Sequence, residues 1–431
     1  MPVRVPGKTI LHDIFFHCNC SFNPWIFLLR KIHRENIHHR SRKKDPGSYH
    51  GRWGGLRSFA PLENISYSIF EYCRIRPNFR TVAGDMWGPI AFLRIVLGSI
   101  FAGGVHDYFS GMLSIKHNGE SITEITGYYL GDFMKKIMSL LSVLLMILVG
   151  AVFIIGPASI IEGMTSGFAG TAFRILLILS YYILSTLLPI DKLIGKVYPF
   201  FGAALIFMAV GIAVVLVFGN FNIPELTFAA FSNPHVNQDD FPIFPMLLIT
   251  IACNAISGFH ATQSPLLARC VTNEKQGRSI FYGAMATEGI LALIWAALSM
   301  TFFGGVQDLN SVMVENQNNA AYVVNEISNS MLGKVGGFLA LLGVIGAPIT
   351  SGDSAFRSAR LIIADFFKVQ QKAIKNRLAI SIPIFIAGYA LTLIEFGIVW
   401  RYFAWTNKTL ATIVLWVITA YLIKEKANYI S

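Results

Sequence analysis

Residues 133–156 read FMKKIMSLLSVLLMILVGAVFIIG. After Lys135 and Lys136, no charge appears between Ile137 and Gly156. At 1.5 Å of rise per residue, such a run covers roughly 30 Å, the thickness of a bilayer's hydrocarbon core. Its apolar side chains circle the whole helix instead of forming one stripe, which suits a helix with no aqueous face. The same pattern recurs along the chain. Spans are expected at 86–104, 133–156, 172–190, 197–219, 242–262, 279–303, 335–352, 376–396 and 400–423.

Composition agrees. Of 431 residues, 54% are hydrophobic and only 14% charged, where soluble domains carry about 25%. The expected fold class is therefore an all-α polytopic membrane protein, with the lipid bilayer as its surroundings. The net charge of +11 does not mark a nucleic-acid partner, because it is concentrated at one end. Residues 1–80 hold 14 Lys and Arg against 5 Asp and Glu. Cys18 and Cys20 lie near several histidines, but Cys-x-Cys without a second ligand pair does not make a zinc site, so no metal is expected. No cofactor motif of the P-loop or Rossmann type, and no nucleophile elbow, is present.

Loop charge gives an orientation. Placing the loop after the first span in the cytoplasm puts Lys116, Lys135, Lys136, Lys192, Lys196, Arg269, Lys275, Arg278, Arg357, Arg360, Lys368, Lys372, Lys375, Arg377, Lys424 and Lys426 on that side. The other side keeps only Arg174, Lys334, Arg401 and Lys408. Loops 220–241 and 304–333 contain no Lys or Arg. By the positive-inside rule, the C-terminus faces the cytoplasm.

Five segments, in order, carry a family resemblance: GGVHDYFSGMLSIKHNGESITEITGYYLG (103–131), NAISGFHATQSP (254–265), YGAMATEGILALI (282–294), SGDSAFRSARLIIADFF (351–367) and WRYFAWTNKTLATIVLW (400–416). Together they resemble the carbon starvation protein A (CstA) family over about 84–429. The resemblance implies a bacterial inner-membrane transporter, linked to the carbon-starvation stress response. Peptides or small carboxylates such as pyruvate are the implied substrates, taken up with a cation. It also implies a fold like that of the inverted-repeat amino-acid transporters. H⁺ and Na⁺ both stand as coupling ions, and the oligomeric state is open.

Residues 1–83 do not resemble the family. They form an aberrant basic, polar segment, whereas 84–431 form the transporter core with its nine spans. A reading-frame shift accounts for the difference. His50-Gly51-Arg52-Trp53-Gly54-Gly55 can be written CAT GGC AGA TGG GGT GGA, which one base later encodes M-A-D-G-V. Glu71-Tyr72-Cys73-Arg74, as GAA TAT TGC CGG, shifts to N-I-A-G. Similar segments stand at the family's first core helix. The chain is also expected to stop early, near Asn428-Tyr429. Restoring the lost helix gives ten spans in a 5+5 inverted repeat, with the first core helix disrupted here. Each half would open with a polar, glycine-containing break, the second running from Asn254 to His260. Such breaks expose helix N-termini to carboxylates and carbonyls to cations.

Candidate site residues follow from polar groups left in apolar runs, since these are costly to retain. For substrate binding they are Asn254, Ser257, Gly258, His260 and Gln263. For cation or proton coupling they are Thr350, Ser351, Asp353 and Glu288. Asp353 has an equal alternative in a salt bridge with Arg357, four residues on, and Arg357 and Arg360 read as cytoplasmic anchors. His106 and Asp107 are placed at the cytoplasmic end of the first intact span, as gating or structural residues. Arg94 is a mid-span charge without an assigned role, at a cost of about 2.5–3.5 kcal/mol. Two other readings remain: an intramembrane enzyme built on His106, Asp107, His260 and Asp353, and a chain inactivated by its lost helix. Sequencing the source DNA should reveal a frame lesion between codons 10 and 85; an uninterrupted frame there ends that reading.

Overall fold

The computed structural model of the chain describes residues 76–164, 170–187, 207–219, 221–239, 241–247, 250, 256–271, 273–316, 318, 320–371 and 373–425. Every regular element among them is helical, so the chain is an all-α polytopic membrane protein. In lipid, backbone N–H and C=O groups must be satisfied within the segment, and the helix does this without partners.

Helix α1 (Arg76–Asp85) leads to α2 (Ile90–Lys116), a single rod with one π turn at Gly98–Gly103. A short α3 (Ile122–Leu130) follows, with Ser121 as N-cap accepting from the Glu124 amide, as hydroxyl caps do for orphan amides. Then come α4 (Asp132–Met164), α5 (Thr171–Leu187) and α6 (Phe207–Phe218). Further along the chain lie α7 (Gly258–Ala268), α8 (Gly283–Phe302), α9 (Val306–Glu315), α10 (Ala320–Phe366), α11 (Ile374–Thr392) and α12 (Phe396–Lys424). Among the described residues five stretches are long and apolar enough to cross a membrane: α2, Asp132–Ser159 of α4, Glu274–Phe302, α11 and α12. Leu140, Leu177, Val217, Phe218 and Ile386 point outward, as a lipid-facing surface requires.

Helix α4 is the central post. It packs along α10, α11 and α12, and α3 and α5 flank it. Packing of membrane helices depends on close approach, since lipid tails are as apolar as leucine. At the crossing of α4, α10 and α11 the Phe356 ring lies directly over Gly150 and Gly388, where any Cβ would collide with it. One apolar cluster joins α4, α7, α12 and the second half of α2. Another joins α1, the first half of α2, α6, α8 and α9.

Four expectations need correction. The first span does not end at 104: α2 runs on to Lys116, so His106 and Asp107 lie inside a rod, fully buried, not at its cytoplasmic end. Hydropathy missed this because that half of the rod faces protein, which tolerates polar side chains. The stretch 304–333, read as a loop, folds into α9 and the start of α10 by burying Leu309, Met313, Val323, Val324 and Ile327. The span 335–352 is part of a longer α10, in which Gly333 breaks the helical path with φ 61°. Arg360 is buried, and Arg357 is engaged inside the bundle, so neither is a surface anchor. Residues 1–75, including most of the segment expected to be frame-shifted, lie outside the described residues; α1 begins within the segment bounded at 83.

Filling the glycine contact tests the packing. Gly388→Val is expected to cost about 1–3 kcal/mol, the usual range for overpacking, read as a lower unfolding temperature in detergent. Ile386→Val, on the lipid side, should leave that temperature unchanged.

Candidate functional site

Within the expected 242–262 span, Ser257 is extended at φ −128° and ψ 115°, and α7 starts at Gly258 in the protein interior; residues 251–255 lie outside the described residues. A helix start leaves its first amides without intrahelical acceptors. Here α12 supplies one: Asn407 Oδ1 accepts from the Phe259 amide at 2.9 Å and from Ser257 Oγ at 3.4 Å. Gly258 permits the approach, because a Cβ there would meet the backbone of Asn407 and Ala411.

This start aims His260, the third residue of α7, between α2 and α8. His260 Nδ1 is 2.7 Å from Asp107 Oδ2. Asp107 Oδ1 is 2.8 Å from His106 Nδ1. His260 Nε2 lies 3.3 Å from Glu288 Oε2. All four side chains have no solvent exposure. The structure thus unites His260 and Glu288, two expected residues from separate segments, with His106 and Asp107, which sequence reading placed elsewhere. A carboxylate between two imidazoles, with a second carboxyl beyond, forms a short chain through which protons can be shared.

The other candidates sort differently. Gln263, on α7, donates to Thr262 Oγ1 at 3.1 Å and to Ser358 Oγ of α10 at 3.2 Å, which ties the two helices. Asn254 lies outside the described residues. Asp353 adopts the ion-pair alternative: Arg357 Nη2 donates to Oδ2 at 2.9 Å, and Ser185 of α5 donates to Oδ1 at 2.7 Å. Thr350 and Ser351 are buried one turn or less before it on α10. Among the described residues no group of three or more His, Cys, Asp or Glu is arranged to hold a metal ion.

At the far end of α2, Lys116 Nζ meets Glu425 at 2.6 Å and lies 4.6 Å from the centre of the Tyr421 ring. These contacts close α2 onto the end of α12. Sequence reading passed over Asn407, although it lay within a quoted motif. An amide in the apolar run 400–423 was the available signal. It also missed Asp85, buried against Ser299, because Asp85 falls just before the first expected span.

Comparison with known proteins fits this picture. The family described as Carbon starvation protein CstA matches residues 81–188 and 165–297. An uncharacterized membrane protein of Haemophilus influenzae is 39% identical over 305 residues, covering 59% of this chain and 82% of that protein. The peptide transporter CstA of Bacillus subtilis is 26% identical over 454 residues, covering 81% and 76%. The pyruvate/proton symporter BtsT of Escherichia coli is 47% identical over 53 residues, 12% of this chain and 7% of that one. Among solved structures, a substrate-bound, outward-open Na⁺-coupled sialic acid symporter matches with a TM-score of 0.51 at 14% identity, covering 93% of this chain and 85% of that one. With the family pattern spanning half of the sequence, and a buried polar site set in a bundle of membrane helices, this chain is a member of the CstA family of membrane transporters.

Proposed function

We propose that this protein is a proton-coupled symporter that imports a peptide or a small carboxylate such as pyruvate across the bacterial inner membrane. The observation that carries the reading is the Asp107 carboxylate held between His106 and His260, with Glu288 at the second nitrogen of His260. Relatives named as a peptide transporter and as a pyruvate/proton symporter support it.

Charge balance explains how coupling would work. With Asp107 ionised, His260 protonated, and His106 and Glu288 neutral, the buried cluster carries no net charge. One further proton makes it +1. A substrate carboxylate then becomes the compensating charge, so proton and substrate each lower the cost of burying the other. Neither would cross readily alone. Asn407 acts as a positioning residue, since the cap on α7 sets the direction of His260. Alternating access would proceed as in a 5+5 inverted repeat, with the C-terminus in the cytoplasm and the Lys116–Glu425 contact closing that face. In this scheme Asp353, already neutralised by Arg357, ties α5 to α10 and does not carry the coupling ion.

Proteoliposomes test the proposal, with radiolabelled pyruvate and short peptides offered under a proton gradient without Na⁺. The chain and a frame-repaired version are run together. Accumulation of unchanged substrate is expected, falling to background in Asp107→Asn and His260→Gln, while counterflow exchange at equal pH persists. Asn407→Ala should cost about 1 kcal/mol of stability through the lost cap. Accumulation driven by Na⁺ alone, unaltered coupling in both variants, or conversion of the substrate into a product would overturn the reading.

A further inference from the structure

Asp85 is the last residue of α1 and has no solvent exposure. Its Oδ2 lies 2.5 Å from Ser299 Oγ of α8. Among the described residues its Oδ1 has no hydrogen-bond partner. The helices packed against α1 are α2, α8 and α10. Their charged groups on the adjoining stretches are Arg94, Glu288 and Glu326, and none forms an ion pair or hydrogen bond with Asp85.

A carboxylate spreads its charge over both oxygens, and half of it would rest on Oδ1 with no donor. A carboxylic acid has no such difficulty. Its hydroxyl at Oδ2 bonds to Ser299, its carbonyl at Oδ1 tolerates an apolar setting, and Ser299 keeps its own hydrogen for Ala296 O, 3.3 Å away. Burial of a lone charge is far costlier than burial of a neutral acid. We propose that Asp85 is a second proton-binding site, separate from the His–Asp–His–Glu cluster, whose proton holds α1 against α8. Loss of that proton leaves an uncompensated charge at the contact, which is relieved when α1 moves away and water reaches the carboxylate. Asn310 of α9 bonds to Met86 O at 2.9 Å, beside the same contact. The site therefore lies at the beginning of α2, the end opposite Lys116, and answers to the pH of the compartment on that side. The ligand is a proton, and no bond other than O–H forms or breaks.

The proposal is independent of what the protein transports, and so is its test. Infrared difference spectra of the full chain in lipid, recorded across a pH step, should contain a carbonyl band from a protonated carboxylic acid. The band is lost in Asp85→Asn and kept in Glu288→Gln. In Ser299→Ala the band stays but shifts in frequency, because its hydrogen bond is gone; this variant serves if Asp85→Asn does not fold. Amide exchange in residues 76–85, corrected for the intrinsic effect of pH, should rise severalfold at alkaline pH in the parent chain and stay low in Asp85→Asn. A spectrum unchanged by Asp85→Asn, a band that ignores Ser299→Ala, or equal alkaline exchange in parent and variant would overturn the proposal.

Discussion

A helix that begins inside a bilayer must find acceptors for its first amides within the protein, for lipid offers none. The start of α7 meets this demand through Asn407, a side chain 148 positions away in sequence from the amide it caps. The dependence runs in both directions. The cap holds only because Gly258 has no Cβ to keep α12 away, and the direction of His260 holds only because the cap fixes the first turn. Asp107 and Glu288 then become a site instead of two isolated buried acids. Each would be unfavourable alone; the His260 imidazole lies between them.

Much of this was legible in the sequence. Long apolar runs betray their solvent, since any helix facing lipid must be apolar on that side. The broken segment was legible too, because Asn254, Ser257, Gly258 and His260 interrupt a run that would otherwise span. Reading failed where protein replaced lipid as the neighbour. The second half of α2 carries His106, Asp107, Ser110 and Ser114, all buried, and a hydropathy window takes such a stretch for a loop. The 304–333 region failed for the converse reason. Its two amphipathic helices are too polar to span, yet apolar enough on one face to pack. Pairings between distant segments, Asn407 with Phe259 or Asp353 with Ser185, leave no trace in one sequence. Each partner alone resembles any polar residue in a membrane helix.

The ionisable groups of the interior also divide by chemistry. Asp353 has a guanidinium four residues away, a charge fixed at every relevant pH, and with Ser185 of α5 it ties two helices. In the central cluster the Asp107 carboxylate is bracketed by two imidazoles, those of His106 and His260. One buried acid thus meets a guanidinium and the other two imidazoles, a difference that one sequence does not display.

Position adds a last step. The buried His–carboxylate cluster lies inside the bundle, whereas the end near Lys116 is closed by a fixed-charge pair, Lys116 with Glu425, both partly exposed. A solvent-exposed pair of this kind is worth about 0–1 kcal/mol and weakens further in salt. It can therefore open at little cost, and it cannot by itself decide which way the protein faces. The decision must come from interactions that lose much more when broken, and those are the buried ones. A carboxylate stripped of its proton or its imidazole, inside the bundle, costs several kcal/mol. The weak contact at the end can therefore follow the buried interactions but cannot outweigh them.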